Sequence, residues 1–287
     1  MLVATLLWSM AGVVTRHLDA ASGAEATFWR SFFNALALVV LLARLRGAAA
    51  LRTTLASGDR TLWLSGLCWA VMFTAFMLAI TMTTVANVLV TMAIAPLVTA
   101  LFARVALAQR LPARTWGAII VAGCGIAWMY AHELGVASGR HLAGTAVALA
   151  VPIAAALNWT AIQRSRSGSA DLLAAVLIGA ALSALLTIGP ALPLRATPHD
   201  LMLLAVLGVF QLAVPCLIAV AAARVLAAPE AALLSLLEIV FGVLWTWIGA
   251  AEAPSRHVLA GGALVLGALV ANEGVALRQR RVGAQAT

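Results

Sequence analysis

Pro112-Ala113-Arg114 opens the stretch PARTWGAIIVAGCGIAW (112–128), and Pro254-Ser255-Arg256 opens PSRHVLAGGALVLGALVA (254–271) near the far end of the chain. Each joins a proline and an arginine to a Gly/Ala-rich apolar run. A second pair of marks lies ahead of them in the same order, Leu7-Trp8-Ser9 and Asn158-Trp159-Thr160. Marks that recur in order at a spacing of about half the chain indicate an internal duplication, and a duplication decides the fold before any single segment does. The two copies are residues 1–131 and 141–281, with the boundary between Ala131 and His141. Each copy holds five apolar stretches. An odd number of crossings turns the second copy over in the membrane. The expected fold is therefore all-α and integral to the membrane, with ten transmembrane helices in two inverted five-helix repeats around a central cavity, the plan of a transporter.

Composition points the same way. The chain is 64% hydrophobic and only 10% charged, with mean hydropathy +1.05. A soluble domain of this length does not have that balance. All eighteen basic residues are Arg. Without a Lys, the chain can form neither a Walker-type phosphate loop nor a Schiff base. The net charge of +8 is read as membrane topology, not as a nucleic-acid surface. Cys68, Cys124 and Cys216 lie inside apolar runs without CxxC spacing and read as small core residues. Leu2–Val14 has no basic region ahead of it and reads as a span, not as a cleaved leader.

Hydropathy places the spans at 2–15, 24–43, 61–80, 82–106, 115–131, 143–162, 170–189, 201–223, 227–249 and 257–277. With the N-terminus inside, the inner loops carry Arg44, Arg46, Arg52, Arg60, Arg104, Arg110, Arg114, Arg164, Arg166, Arg224, Arg278, Arg280 and Arg281. The outer loops carry Arg16, Arg140, Arg195 and Arg256. Thirteen against four places both termini in the cytoplasm. His17, His132, His141, His199 and His257 then fall on the outer side, and none pairs with another at helical spacing. Neither metal nor cofactor is expected. Ala263, Gly267 and Ala271 on the last span, and Ala118 and Ala122 on the fifth, form ridges on which helices can pack closely.

Polar groups within spans are the candidate site. Glu238 sits mid-span among apolar neighbours, where a carboxylate marks a pathway, a proton site or a structural hydrogen bond. Arg30 is read first as snorkelling to the outer interface or pairing with Glu25, and second as a cation for a substrate carboxylate; Asn34 shares its face. Trp8 and Trp159 occupy corresponding positions, with Ser9 and with Asn158 and Thr160 beside them, and suit the wall of a midplane cavity. Asn87 and Thr91 share a face on the fourth span, ahead of Pro96. Gln211 precedes Pro215 on the eighth. Pro152 and Pro229 add breaks in the second half. Prolines in spans free backbone carbonyls, which is tolerated beside protein or a wet cavity. The expected substrate-binding set is Trp8, Trp159, Asn158, Asn87, Thr91, Gln211, Glu238 and Arg30, with interhelical hydrogen bonding as the alternative role for its amides and hydroxyls.

Leu7-Trp8-Ser9, Phe28-Trp29-Arg30, Ala95-Pro96, Leu237-Glu238, Glu252 and Gly261-Gly262, in that order, resemble the drug/metabolite transporter superfamily and its EamA family over essentially the whole chain. Two positions depart from the family pattern, with Gln109 where Glu is usual and Ile239 where Pro is usual. Within the family the opening helices are most similar to YddG-type exporters of aromatic and other amino acids. That resemblance implies a monomeric bacterial inner-membrane carrier whose partners are an amino acid and the lipid bilayer, with Trp8 and Trp159 facing the substrate. The alternatives are export of another small metabolite or drug, or, in a different class, a membrane-embedded enzyme. An enzyme would need clustered His, Asp or Glu at a membrane face. A channel would need filter loops or charged rings. Neither pattern is present in the sequence.

Overall fold

A computed structural model describes residues 2–106, 113–133, 139–164, 172–222 and 237–285. Gln109, Arg110, Pro112, Arg166, Arg224 and Pro229, and part of the expected boundary at 131–141, lie outside the described residues. The described chain is nearly all helix. In order it forms α1 (Leu2–Trp8), α2 (Ala11–Thr15), α3 (Gly23–Arg46), α4 (Ala48–Ala56), α5 (Arg60–Met82), α6 (Val85–Met92), α7 (Ala95–Ala106) and α8 (Ala113–Glu133). It continues with α9 (Gly139–Ala148), α10 (Ala150–Arg164), α11 (Leu172–Ala191), α12 (Pro198–Val206), a π-helical turn (Leu207–Ala213), α13 (Val214–Ala222), α14 (Leu237–Ala250) and α15 (Arg256–Gln285).

Among the described residues, five apolar segments have the length and composition to cross a membrane: 23–46, 60–82, 139–158, 173–191 and 198–219. The remaining apolar helices are shorter. Three helix interruptions share a cause. Pro96, Pro152 and Pro215 each stand within the first turn of the second member of a broken pair, α7, α10 and α13. A proline there has no N–H to give the carbonyl four residues back, so the chain turns at 93–94, at Leu149 and through the π-helical turn, then restarts. The break between α1 and α2 has no proline. There the Ser9 hydroxyl donates to the Leu6 carbonyl at 2.7 Å, and Met10 N–H reaches Leu7 instead of continuing the α-ladder.

Capping side chains set several helix starts. Ser22 accepts from Glu25 N–H, Asp59 from Thr61 N–H and Thr84 from Asn87 N–H. Thr197 and Asp200 form a reciprocal capping box. Gly47, at φ +85°, makes the left-handed corner between α3 and α4. The short α4, which hydropathy did not anticipate, buries only Leu51.

Packing interleaves the two halves of the chain. α11 lies against α3 and α5, α15 against α8, α10 against α5 and α7, and α14 against α6, α2 and α1. The main core gathers Met77, Ile80, Val85, Leu89, Leu204 and Leu207; a second gathers Leu38, Leu42, Phe73, Val176, Leu212 and Cys216. Phe32, Leu36 and Val40 on α3, Leu185 and Leu186 on α11, and Trp247 and Ile248 on α14 turn outward. So many exposed large apolar side chains make sense facing lipid, where backbone groups must be satisfied within helices.

Close approach at the π-helical turn depends on Gly208. A Cβ there would lie 2.6 Å from Phe33 Cβ and 2.7 Å from the Arg30 carbonyl oxygen. Gly208→Val is accordingly expected to destabilise the protein by about 1–3 kcal/mol through overpacking, read as a lower melting temperature in detergent. An unchanged melting temperature would show that α3 and the turn can separate freely.

Candidate functional site

Trp8 ends α1, and the break after it leaves its carbonyl available. Gln211, inside the π-helical turn, donates Nε2–H to that carbonyl at 3.1 Å. The Oε1 of Gln211 accepts from Arg30 Nη1 at 3.4 Å. Arg30 Nη2 donates to the Phe73 carbonyl at 3.2 Å, and the guanidinium carbon lies 5.5 Å from the centroid of Phe76. Three of the expected site residues are thus linked in series, from Arg30 through Gln211 to the break at Trp8.

The first expectation for Arg30 is overturned. Its side chain is 1% exposed, so it does not snorkel, and it makes no ion pair with Glu25. Glu25 turns the other way and accepts the backbone N–H groups of Arg195 and Ala196 at 2.8–3.0 Å. Arg30 Nε and both amide atoms of Asn34, one turn further on, are buried without hydrogen-bond partners. A guanidinium remains charged at this depth, so the desolvated site around it is electrically positive.

Asn87 and Thr91 form a separate group. Asn87 Nδ2 lies 2.9 Å from His141 Nε2 and 3.3 Å from the Thr83 hydroxyl, while the Thr91 hydroxyl donates to the Asn87 carbonyl at 2.7 Å. His141, assigned from sequence only to the outer side, is therefore a direct neighbour of a candidate site residue. Nothing in the spacing of the two residues could have revealed this contact between α6 and α9. Asn158 is buried with an unpartnered Oδ1, and Thr160 with an unpartnered Oγ1. Trp159 lies between them on α10; its side chain is outside the described ones.

Glu238 is the second residue of α14 and is half-buried. It has no hydrogen bond or ion pair with any described residue. Its direction follows from Gly242, one turn on and on the same face. A Cβ at Gly242 would press on the Leu89 side chain and lie 3.6 Å from the Ser9 carbonyl. Glu238 therefore stands on the face of α14 that meets the α1–α2 break and α6. Asp19, His199 and Asp200 bring possible metal-ligand atoms within 4.8 Å of one another. The Asp200 oxygens, however, already accept the N–H groups of Asp19, Ala20, Ala21 and Thr197, and His199 Nδ1 pairs with Asp19. That cluster reads as a loop tether.

A chain whose described residues are nearly all helix, with apolar outward faces, interrupted helices and buried polar groups at the interruptions, is a multi-pass membrane protein. Residues 1–131 match the family model of the EamA-like transporter family. The matched segment contains Leu7-Trp8-Ser9, Phe28-Trp29-Arg30 and Ala95-Pro96, three of the motifs that carried the resemblance. Among the solved structures that match, one crystal structure does so with a TM-score of 0.66 over 97% of this chain and 96% of the other, at 20% identity. At that identity the likeness concerns the fold alone. No curated protein matches the chain.

Proposed function

We propose that the chain is a secondary carrier that exports small metabolites, amino acids and aromatic ones foremost, by alternating access. In this reading residues 1–131 and 141–281 are inverted repeats, both termini are cytoplasmic, and the protein works as a monomer in a bacterial inner membrane. Support for the repeats comes from the packing. α3 with α11, α6 with α14 and α8 with α15 are pairs of corresponding elements, and the contact of α5 with α11 has its counterpart in that of α12 and the π-helical turn with α3.

The observation that carries the function is the concentration of interrupted helices. Discontinuous helices in a carrier expose backbone groups and side chains to a solute near the membrane midplane. In this reading Trp8, Asn87, Thr91, Asn158, Trp159 and Glu238 face the solute, and the α1–α2 and α6–α7 breaks beside Trp8, Asn87 and Thr91 support it. Gln211 and Arg30 stand behind Trp8. Indole faces bind flat apolar groups, and the amides orient polar ends.

Counterflow in proteoliposomes tests the reading: labelled amino acid should enter faster when unlabelled amino acid is loaded inside. A panel including other metabolites identifies the preferred solute. Trp8→Ala and Trp159→Ala are expected each to lower exchange about tenfold, equivalent to about 1.4 kcal/mol. Exchange at the wild-type rate in both variants would remove the two indoles from the site.

A further inference from the structure

Three carboxylates at one end of the bundle each tie residues before 131 to residues after 141. Glu25 accepts N–H groups from Arg195 and Ala196. Asp200 accepts from Asp19, Ala20 and Ala21. Glu252 accepts Arg16 Nε–H at 2.6 Å through one oxygen and Val85 N–H at 2.7 Å through the other. Arg16 also donates to the carbonyls of Ile80 at 2.8 Å and Thr83 at 2.9 Å. One ion pair therefore joins the ends of α2 and α5, the start of α6 and the α14–α15 connection.

The three ties differ in kind. Glu25 and Asp200 are sealed, at 1% and 0% exposure, and hold two and four backbone N–H groups respectively. Breaking either would leave a buried carboxylate without donors, so these are fixed attachments. Arg16 and Glu252 keep 28% and 18% of their side chains exposed. Each partner also rests on a helix end of opposite sign. Arg16 lies on the terminal carbonyls of α5, and Glu252 lies on the first N–H of α6. When the pair parts, Arg16 keeps its carbonyls and water can solvate Glu252. Behind the pair lies the candidate site, because the same Thr83 whose carbonyl holds Arg16 presents its hydroxyl to His141 and Asn87.

We infer that the Arg16–Glu252 pair is the latch of this end of the carrier. It closes the path to Asn87 in the conformation seen here and parts when this end opens, while the attachments at Glu25 and Asp200 serve as the pivot. This rests on the alternating-access reading above. Because each charge is matched to its helix end, a neutral partner should loosen the latch without disturbing the pivot.

The test uses the full chain in proteoliposomes with Cys124→Ser, leaving the buried Cys68 and Cys216, and Thr83→Cys as a reporter behind the latch. Labelling by a membrane-impermeant maleimide is followed in that background and with Glu252→Gln or Arg16→Gln added. Each addition is expected to raise the labelling rate about tenfold, as a shift toward the open population requires. Asp59→Asn, a cap on the opposite end of α5, should leave the rate unchanged. Equal labelling in all backgrounds overturns the latch, as does an equal rise with Asp59→Asn, which would mean general loosening. If the reporter responds as expected but no solute on the panel is exchanged, the latch stands and the carrier reading fails.

Discussion

Arg30→Met is expected to remove most transport while leaving the protein folded and inserted. The guanidinium is held by a carbonyl of α5 and an amide of the π-helical turn, with no carboxylate in contact. Burying such a charge is itself costly, and an apolar side chain of similar length restores the packing without the desolvation. Stability should therefore change by no more than about 1–2 kcal/mol in either direction. What methionine cannot do is orient Gln211. Its Oε1 loses its donor, the amide is free to turn, and the hold of Nε2 on the Trp8 carbonyl weakens.

Exchange should then fall roughly tenfold to a hundredfold, because each tenfold corresponds to about 1.4 kcal/mol of lost positioning. Gln211→Leu should reproduce the loss. Arg30→Lys should not rescue it, since one ammonium on a flexible stem cannot span both acceptors as the planar fork does. Thermal unfolding in detergent and counterflow on the same preparations separate the cases. If melting temperature and exchange fall in parallel in all three variants, Arg30 serves the fold alone and has no separate part in holding Trp8.

Why Arg30 was misplaced from sequence shows where such reading stops. The apolar stretches at 24–43, 61–80 and 257–277 were visible because lipid imposes length and hydropathy, and the helices Gly23–Arg46, Arg60–Met82 and Arg256–Gln285 contain them. Pro96, Pro152 and Pro215 announced three of the breaks, while Pro229 lies outside the described residues. Pairing Arg30 with Glu25 relied on nearness in sequence, but Glu25 stands in the first turn of α3 and reaches a loop some 170 residues away. Glu252 and Asp200 likewise find their N–H partners far along the chain. Partners of that kind have no period and no local spacing, so only the folded chain displays them. Asn87 lay on the expected face, but its neighbour His141 belongs to α9 and became visible only through packing.

Glu238→Gln is expected to abolish transport driven by a proton gradient while sparing exchange. The glutamine keeps the shape of the side chain and can still hydrogen-bond, so α14 should pack as before along Ser9, Leu89 and Val13. The carboxylate itself has no partner among the described residues to explain it as a structural link, and an acid at membrane depth without such a link is a candidate carrier of protons. Its face of α14 runs along the α1–α2 break and α6, so gain or loss of a charge there acts on helices that the Arg16–Glu252 pair joins. With the compartment that receives solute made acidic, the wild-type protein should concentrate solute against its gradient and Glu238→Gln should not. Counterflow without a pH difference should stay within about threefold of wild type, because exchange requires the solute site to reorient but no net proton movement. Retained proton-driven accumulation in Glu238→Gln would instead make the residue a polar contact of the α14 junction. Loss of both activities, with an unchanged melting temperature, would place it on the solute.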